Sequence, residues 1–388
     1  MKITFVGLGG CPFSNRAADV RQNAFAEVFV EMGYEVEIIN RFSRTKAKTS
    51  FPLFRVVEPF PYIEAKGKFT FAFFYILALL YEPFRLLHSN RKCHIDVVYV
   101  YSAHTIDHLM YWLFCRMVGA KLVGQYNEYN SCTRRNAIYF RANRRYIDRL
   151  VPRLWDGAIC ISHFLEKVCH DVSPKTKTML VYPICNFISY NKKEDEKEVL
   201  PQQDFVLFCS SISYISIVEF IIKAYCRSEL YRQLDLVMVL SGNEEHLTVL
   251  KNKYPEVIFL HDLKYGTLIS YYRNAKALLI PLRDNLRDKA RFPHKVCEYL
   301  ASNGLVITTN LGEMPYVFND GMNALVAEGY NIETYAQKLS ELIAREDLDI
   351  IKENGYQTGL MYFDIHAYES HLDVFFNELI GKESKVKE

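Results

Sequence analysis

The sequence has no long hydrophobic run, no paired cysteine motif and little net charge. None of its apolar stretches reaches the roughly 18–20 residues that span a bilayer, and the start MKITFVGLGG lacks a signal peptide's apolar region. The ten cysteines form no C-x-x-C pair and no Cys/His cluster at zinc spacing, which favours reduced thiols. A net charge of +2 argues against a nucleic-acid partner. These absences predict a cytoplasmic protein without a membrane span or a disulfide framework.

The chain contains two series of apolar strands that alternate with helical patterns. Its 388 residues suffice for two domains, and half of them are hydrophobic. Alternation of this kind predicts an α/β fold with two parallel, Rossmann-like sheets, each covered on both faces. A charged segment without apolar periodicity, Asn191 to Gln203, is the expected linker. The domains predicted on this basis are residues 1–190, 204–360 and a C-terminal helical segment, 361–388.

Phe69 to Leu87 is predicted to be a helix with basic residues at both ends. Two interpretations compete. In one the helix packs against the first sheet, and in the other it lies on a membrane surface. The apolar residues are nearly continuous and not confined to one stripe, which favours the buried helix.

The stretch from Pro281 to Glu313 concentrates charge around one short helix. A strand ends before it, Pro293 marks the first helical turn, and Gly304 is expected to end the helix as a left-handed cap. Lys295 lies where free amides favour an anion, and Glu298 shares its face. This arrangement suits a nucleotide, with diphosphate on Lys295 and ribose hydroxyls on Glu298. The alternative is an ordinary surface helix that carries an i,i+3 ion pair.

The segment FPHKVCEYLASNGLVITTNLGE resembles the donor-binding segment of family 4 glycosyltransferases of GT-B fold. Many members carry P-x-K-x-x-E-Y-x-A-x-G-x-P-V-I-x-T followed by a Gly-Glu loop. The following residues, Pro315 and Asn319 to Val326, also resemble the family. The resemblance implies two Rossmann-like domains that face a central cleft and a C-terminal helix that crosses back to the first domain. It also implies a nucleotide-sugar donor, retention of anomeric configuration, and neither a metal nor another cofactor.

Ligands of open α/β sheets lie beyond the carboxyl ends of the strands, so the residues that follow each strand are the site candidates. In the first domain His104 and Glu128 are the catalytic candidates, as a base or as partners of a sugar hydroxyl. A structural histidine and a solvated loop carboxylate are the alternatives. The donor-binding candidates, from strand ends and from the resemblance, are Gly10, Ser210, Ser211, Gly242, Arg291, His294, Lys295, Glu298, Gly312 and Glu313. The Arg-rich stretch Thr133 to Leu154 is either an attractor for an anionic acceptor or a solvated face.

The sequence departs from the family pattern at two places. Members carry a basic residue and then Lys-Gly after the first strand of the second domain, and both contact the donor diphosphate. Here Ile215 and Ser216 stand at the Lys-Gly position, and the first Glu of the E-x7-E pattern is Ala290. The cations that remain are Lys295, Arg291, His294 and Arg287.

The favoured hypothesis is a glycosyltransferase that moves a sugar from a UDP- or GDP-linked donor to a saccharide or a lipid-linked saccharide. By analogy with the family, it would act in surface polysaccharide synthesis, in the cytoplasm and at the inner face of the plasma membrane. The alternatives are another GT-B enzyme, such as a nucleotide-sugar 2-epimerase or a phosphorylase, and a non-catalytic GT-B scaffold.

Overall fold

A computed structural model describes residues 1–8, 11, 17–41, 53–57, 68–132, 138–191, 200–231 and 233–382. The chain divides into two compact units, the first formed by Met1–Tyr182 with Ile365–Glu388 and the second by Pro183–Asp364. Residues 183–190, which the sequence analysis assigned to the first domain, are thus part of the second unit. Most of the expected linker, residues 192–199, lies outside the described residues.

The first unit is built on a parallel sheet, which has seven strands among the described residues. The strand order is β3-β2-β1-β4-β5-β6-β7, with every pair parallel. Its elements are β1 (Lys2–Leu8), α1 (Ala17–Glu31), β2 (Glu35–Asn40), β3 (Arg55–Val57), α2 (Lys68–Lys92), β4 (Val97–Val100), α3 (Thr105–Val118), β5 (Lys121–Tyr126), α4 (Ile138–Leu150), β6 (Gly157–Cys160), α5 (His163–Val172) and β7 (Lys177–Leu180).

The second unit repeats the plan with a parallel sheet of six described strands in the order β10-β9-β8-β11-β12-β13. Its elements are α6 (Phe187–Asn191), β8 (Phe205–Ser211), α7 (Ile215–Arg227), β9 (Asp235–Ser241), α8 (Glu244–Lys253), β10 (Ile258–His261), α9 (Tyr265–Asn274), β11 (Ala277–Ile280), α10 (Leu286–Lys289), α11 (Lys295–Ala301), β12 (Val306–Thr309), β13 (Leu325–Ala327), α12 (Ile332–Ala344) and α13 (Leu348–Tyr362). The strand order reverses between β8 and β11, which creates a switch point at their carboxyl ends.

Burial explains why short apolar runs become strands in this chain. Every residue of β4, β6, β11 and β12 is buried, because helices cover both faces of each sheet. Runs of this kind therefore read as continuously hydrophobic and not as alternating. The predicted fold class, two Rossmann-like parallel sheets, is confirmed.

The last helix, α14 (Glu369–Ile380), packs on the first unit. Phe376 is fully buried, with its ring 5.0 Å from that of Phe29 and 6.2 Å from that of Tyr99. The hydroxyl of Tyr34 donates to Asp373. The expectation that a C-terminal helix returns to the first domain is confirmed.

Helix α2 differs from its expected burial. Only one narrow face packs inward, where Ala78 and Leu86 are buried, while Phe73, Leu80 and Phe84 are more than half exposed. The inner face of the helix does pack on the first sheet, where it donates a hydrogen bond to β2. The expectation of a largely buried helix was met on that face alone, because continuous hydrophobicity does not show which residues find a neighbour. Within the described part of the chain, no helix is both long enough and apolar enough to cross a membrane.

Candidate functional site

The switch point of the second unit brings together two segments that are distant in sequence. Strands β8 and β11 are neighbours, with Phe208 opposite Leu279. Ser210 and Ser211 end β8, and the Ser211 hydroxyl accepts from the amide of Ser213 at 3.3 Å. A 3-10 turn then leads to α7, while the loop after β11 returns over the same edge. Polar groups from both strand ends therefore lie at the place where open α/β sheets bind ligands.

Three arginines surround one aromatic ring at this edge. The guanidinium carbons of Arg283, Arg287 and Arg291 lie 5.8, 5.6 and 5.2 Å from the ring centre of Tyr214. Arg291 also donates to the Tyr214 hydroxyl at 2.7 Å, and Arg283 donates to Ser216 Oγ at 3.1 Å. We call Arg283, Arg287 and Arg291 the arginine trio. The trio contacts Tyr214, which directly precedes α7. It thus brings positive charge to a stretch that has no basic residue of its own.

One buried carboxylate holds two members of the trio in place. Asp288 is fully buried and accepts from Arg283 Nε at 2.7 Å and from Arg291 Nη2 at 3.0 Å. Burial by itself raises the pKa of Asp288, but the two guanidinium groups outweigh it and hold the pKa below its usual range. The cluster contains three guanidinium groups and one buried carboxylate, so it carries an excess of positive charge.

Lys295 and Glu298 form an ion pair on α11. Lys295 Nζ lies 2.8 Å from Glu298 Oε2 and donates to the Tyr272 hydroxyl at 2.8 Å, while the Tyr265 hydroxyl donates to Glu298 Oε1 at 3.3 Å. The carboxylate is 3% exposed. Burial raises the pKa of Glu298, but the charge of Lys295 outweighs it, and the net shift is downward. The i,i+3 pair of the alternative interpretation is thus present, although on a buried and not on a surface carboxylate.

Helix α11 begins and ends slightly differently from the expectation. It starts at Lys295, after Pro293, and comprises seven residues, so few aligned peptide dipoles reinforce its N-terminus. Asn303, with φ 53°, is the left-handed residue after the helix, and not Gly304. Gly304 is needed for space instead, since a Cβ there would lie 2.2 Å from Leu278 Cδ1. A sequence pattern of Asn-Gly at a helix end does not show which residue adopts the left-handed conformation.

The other donor-binding candidates lie on neighbouring loops of the second unit. Gly242 follows β9 with φ 125°, next to Ile212. Gly312, with φ 62°, lies against the loop of the trio, and a Cβ there would be 3.1 Å from the carbonyl oxygen of Asp288. Glu313 is buried, and the His294 ring lies 3.8 Å from Cys297 Sγ.

The first unit has a cavity of about 90 Å³ at the carboxyl ends of β4 and β5. Glu128 lines it and is exposed to solvent, whereas His104 does not line it. His104 instead precedes α3, where its ring lies 5.7 Å from that of Tyr75. The histidine in the wall is His108. Burial, with Glu128 nearby, raises the pKa of the lining residue Tyr101 to about 12.

The remaining expectations concern Gly10, the Arg-rich stretch and metal ions. Gly10 and residues 133–137 lie outside the described residues. Helix α4 is held through Asp148, which accepts from Tyr126 at 2.9 Å. The sequence contains one Asp-x-Asp, Asp347 to Asp349. Asp347 precedes α13 and pairs with Arg345 at 2.7 Å, and Asp349 lies in the first turn of the helix.

The sequence places residues 283–291 at a strand end and offers Arg287 and Arg291 as cations, but Arg283 and Tyr214 were not singled out. The available signal was the spacing of 283, 287 and 291, which is four residues each time, although only Arg287 lies in a helix, the short α10. The sequence could not show that these arginines contact the ring of Tyr214, which lies about 70 residues earlier in the chain.

Comparison with known proteins finds a family match within the second unit. Residues 191–358 match the model of the family glycosyl transferases group 1. An uncharacterized glycosyltransferase of Methanocaldococcus jannaschii is 25% identical over 218 residues, 54% of this chain and 56% of that protein. The match therefore spans little more than half of that relative.

Two solved structures resemble the chain over nearly its whole length. Sucrose-phosphate synthase from Thermosynechococcus elongatus gives a TM-score of 0.73 at 14% identity and covers 98% of this chain and 99% of its own. Anabaena HepE in complex with UDP and glucose gives 0.67 at 13% identity, with coverage of 97% and 100%. These likenesses support the GT-B fold class, and the domain match together with the named relative supports a transferase enzyme.

Proposed function

We propose that this chain, whose residues 191–358 form a glycosyl transferases group 1 domain, transfers a sugar from a nucleotide-sugar donor. The observation that carries the proposal is the arginine trio at the switch point of that domain. A UDP-linked donor is our first choice, since Anabaena HepE is described with UDP, and a GDP-linked donor is the second.

The trio can bind the donor diphosphate in place of the family's basic pair. Guanidinium groups bind phosphate oxygens through two parallel hydrogen bonds, and Asp288 already fixes Arg283 and Arg291 in position. When the sugar leaves, negative charge develops on the diphosphate. Cations that are held rigidly at that point stabilise the developing charge without having to reorganise. A single well-placed hydrogen-bond donor contributes ~3 kcal/mol in this way. This assigns the leaving-group role to Arg283, Arg287 and Arg291.

Glu298 is the proposed partner of the donor ribose. It accepts from Lys295 and Tyr265, whereas a carboxylate has about four acceptor sites. Glu298 therefore has further acceptor sites for a ribose hydroxyl. Because the residue is buried, the hydroxyl can reach them once the Tyr265 side chain moves aside. Lys295 then acts mainly by holding Glu298 ionised.

The acceptor is proposed to be a saccharide or a lipid-linked saccharide, used in surface polysaccharide synthesis. Glu128 at the cavity of the first unit is the proposed base or hydroxyl partner, since it is the exposed carboxylate of the lining. We further propose retention of anomeric configuration without a metal ion. His104 is retained as a weaker candidate because its ring faces Tyr75.

Calorimetry with UDP and GDP tests the donor site. Arg287 is exposed and contacts Tyr214, so Arg287→Ala leaves the buried pairs of Asp288 intact. Loss of one charge-assisted contact, worth roughly 1.5–3 kcal/mol, is expected to weaken nucleotide binding about 10- to 100-fold. The matched control is Lys289→Ala, on the same short helix, where Lys289 pairs with Asp284. Equal binding by the two variants would contradict the role of the trio.

A non-catalytic scaffold is the second candidate, and the closed Lys295–Glu298 pair favours it. Incubation with a panel of nucleotide sugars and an assay for released nucleotide separates the two. Released nucleotide supports the transferase, and an epimerised sugar nucleotide indicates a 2-epimerase. A folded protein that binds no nucleotide is the result expected of a scaffold.

A further inference from the structure

Helix α2 exposes a stripe of large apolar side chains. Phe73, Ile76, Leu80 and Phe84 are 58%, 56%, 63% and 68% exposed. Their spacing of three, four and four residues places them on one face of the helix. Single exposed apolar residues are common on protein surfaces, but four in one stripe are not.

Helix α3 packs beside α2 and carries an exposed apolar stripe of its own. Ile106, Leu113 and Met117 are exposed on α3, at a helical spacing of seven and four residues. We call the exposed residues of α2 and α3 together the α2–α3 face. Since each helix contributes its own stripe and the helices are neighbours, the apolar surface exceeds what one helix provides.

The two acidic residues of these helices are removed from the face. Glu82 and Asp107 are buried, and Arg41 binds both, at 2.7 Å and 2.9 Å respectively. The hydroxyl of Tyr111 also donates to Glu82 at 2.5 Å. This buried network joins α2 to α3, and it leaves neither carboxylate on the exposed side.

The charges that remain accessible on the two helices are cationic. Arg91, Lys92 and Arg116 are exposed, and Arg85 is half-buried. Arg85 lies 5.8 Å from the ring centre of Tyr81, and Arg116 lies at the same distance from that of Trp112 and also pairs with Asp156 at 3.5 Å. Arg91 and Lys92 are therefore the main cations of the two helices. The face therefore combines apolar side chains with basic and aromatic ones, the composition of helices that lie in a membrane interface.

We propose that the α2–α3 face docks onto the surface of a bilayer that contains anionic lipids. The apolar stripes enter the boundary between headgroups and acyl chains, and the arginine and lysine side chains contact lipid phosphates. Charge complementarity favours this occupant, because all accessible charges of the described helix residues have the sign that anionic headgroups attract. The proposal concerns lipid binding alone and is independent of the nucleotide site.

Vesicle sedimentation tests the proposal with the full chain and two vesicle types, phosphatidylcholine alone and phosphatidylcholine mixed with phosphatidylglycerol. The unmodified protein is expected to bind the mixed vesicles, and less so as salt is raised, because salt screens headgroup attraction. Leu80→Ser combined with Phe84→Ser should weaken binding at least about tenfold, since burying even one such side chain contributes ~1.5 kcal/mol or more. Arg91→Glu combined with Lys92→Glu should weaken binding to mixed vesicles selectively.

The matched control is Val249→Ser combined with Ile350→Ser, two residues of the second unit that are 63% and 65% exposed. This variant should bind like the unmodified protein, and circular dichroism checks that all variants remain folded. Unchanged vesicle binding by the Leu80/Phe84 variant would overturn the proposal. The proposal would also be overturned if the protein bound neither vesicle type but self-associated through this face, a result that would indicate a protein partner.

Discussion

At the scale of single residues, His108 shows how burial fixes a protonation state. The indole of Trp155 donates to His108 Nδ1 at 3.2 Å, and His108 Nε2 donates to the Ser102 carbonyl at 2.9 Å. A neutral ring satisfies both contacts. Burial accordingly lowers the pKa of His108 from 6.5 to about 4. The histidine that lines the cavity is thus suited to a structural role and not to base catalysis.

This lowered pKa predicts a pH dependence of stability. Between pH 6.5 and about 4 the unfolded chain binds a proton at His108 that the folded chain does not, so the free energy of unfolding falls as pH falls. The loss should amount to about 3 kcal/mol over this window. Urea unfolding of the unmodified protein and of His108→Gln, measured at both ends of the window, checks it. Parallel pH profiles of the two proteins would contradict the assignment.

At the scale of elements, strand β5 depends on one glycine. Gly124 lies in the middle of β5, and a Cβ there would come within 2.1 Å of the Trp155 ring. The indole therefore lies directly on the strand backbone. A side chain at this position and the indole cannot share the space, and both His108 and the cavity wall depend on the position of Trp155.

Gly124→Ala is expected to destabilise the first unit by about 1–3 kcal/mol, because the buried ring must shift to admit a methyl group. The double variant Gly124→Ala/Trp155→Leu should lose less free energy of unfolding than the two single variants added together, since leucine leaves room for the new methyl group. Chemical denaturation of the two single variants and the double variant measures this coupling. Strictly additive effects would show that the ring does not press on the strand.

At the scale of the whole molecule, the first unit is completed by residues from the far end of the chain. Helix α14 supplies Phe376 to a core formed by α1, β1 and β4, about 270 residues or more away in sequence. Both tryptophans of the chain, Trp112 and Trp155, lie in this unit, so tryptophan fluorescence reports on its unfolding.

Phe376→Ala should lower the free energy of unfolding seen by tryptophan fluorescence by about 3–5 kcal/mol, as expected for a fully buried ring. Val374→Ala is the control, since Val374 is 38% exposed on the same helix and should change stability little. If both variants unfold like the unmodified protein, α14 does not contribute to the core.

The sequence by itself determined the two sheets and the segment that carries Lys295 and Glu298, whereas the return of the last helix was predicted from the family resemblance. Buried parallel strands read as short apolar runs, and local spacing places residues on a helix face, so this information is available within a few residues. The resemblance of residues 292–313 to a known donor-binding segment is equally local.

Only the tertiary structure decided which groups meet. The chain lacks a basic pair after β8, yet the trio brings three guanidinium groups to Tyr214 at that position, because β8 and β11 are neighbours in the sheet. In the same way α2 proved half exposed although its sequence is almost continuously apolar. Hydrophobicity belongs to a residue, whereas burial and charge neutralisation depend on neighbours that folding brings from elsewhere in the chain.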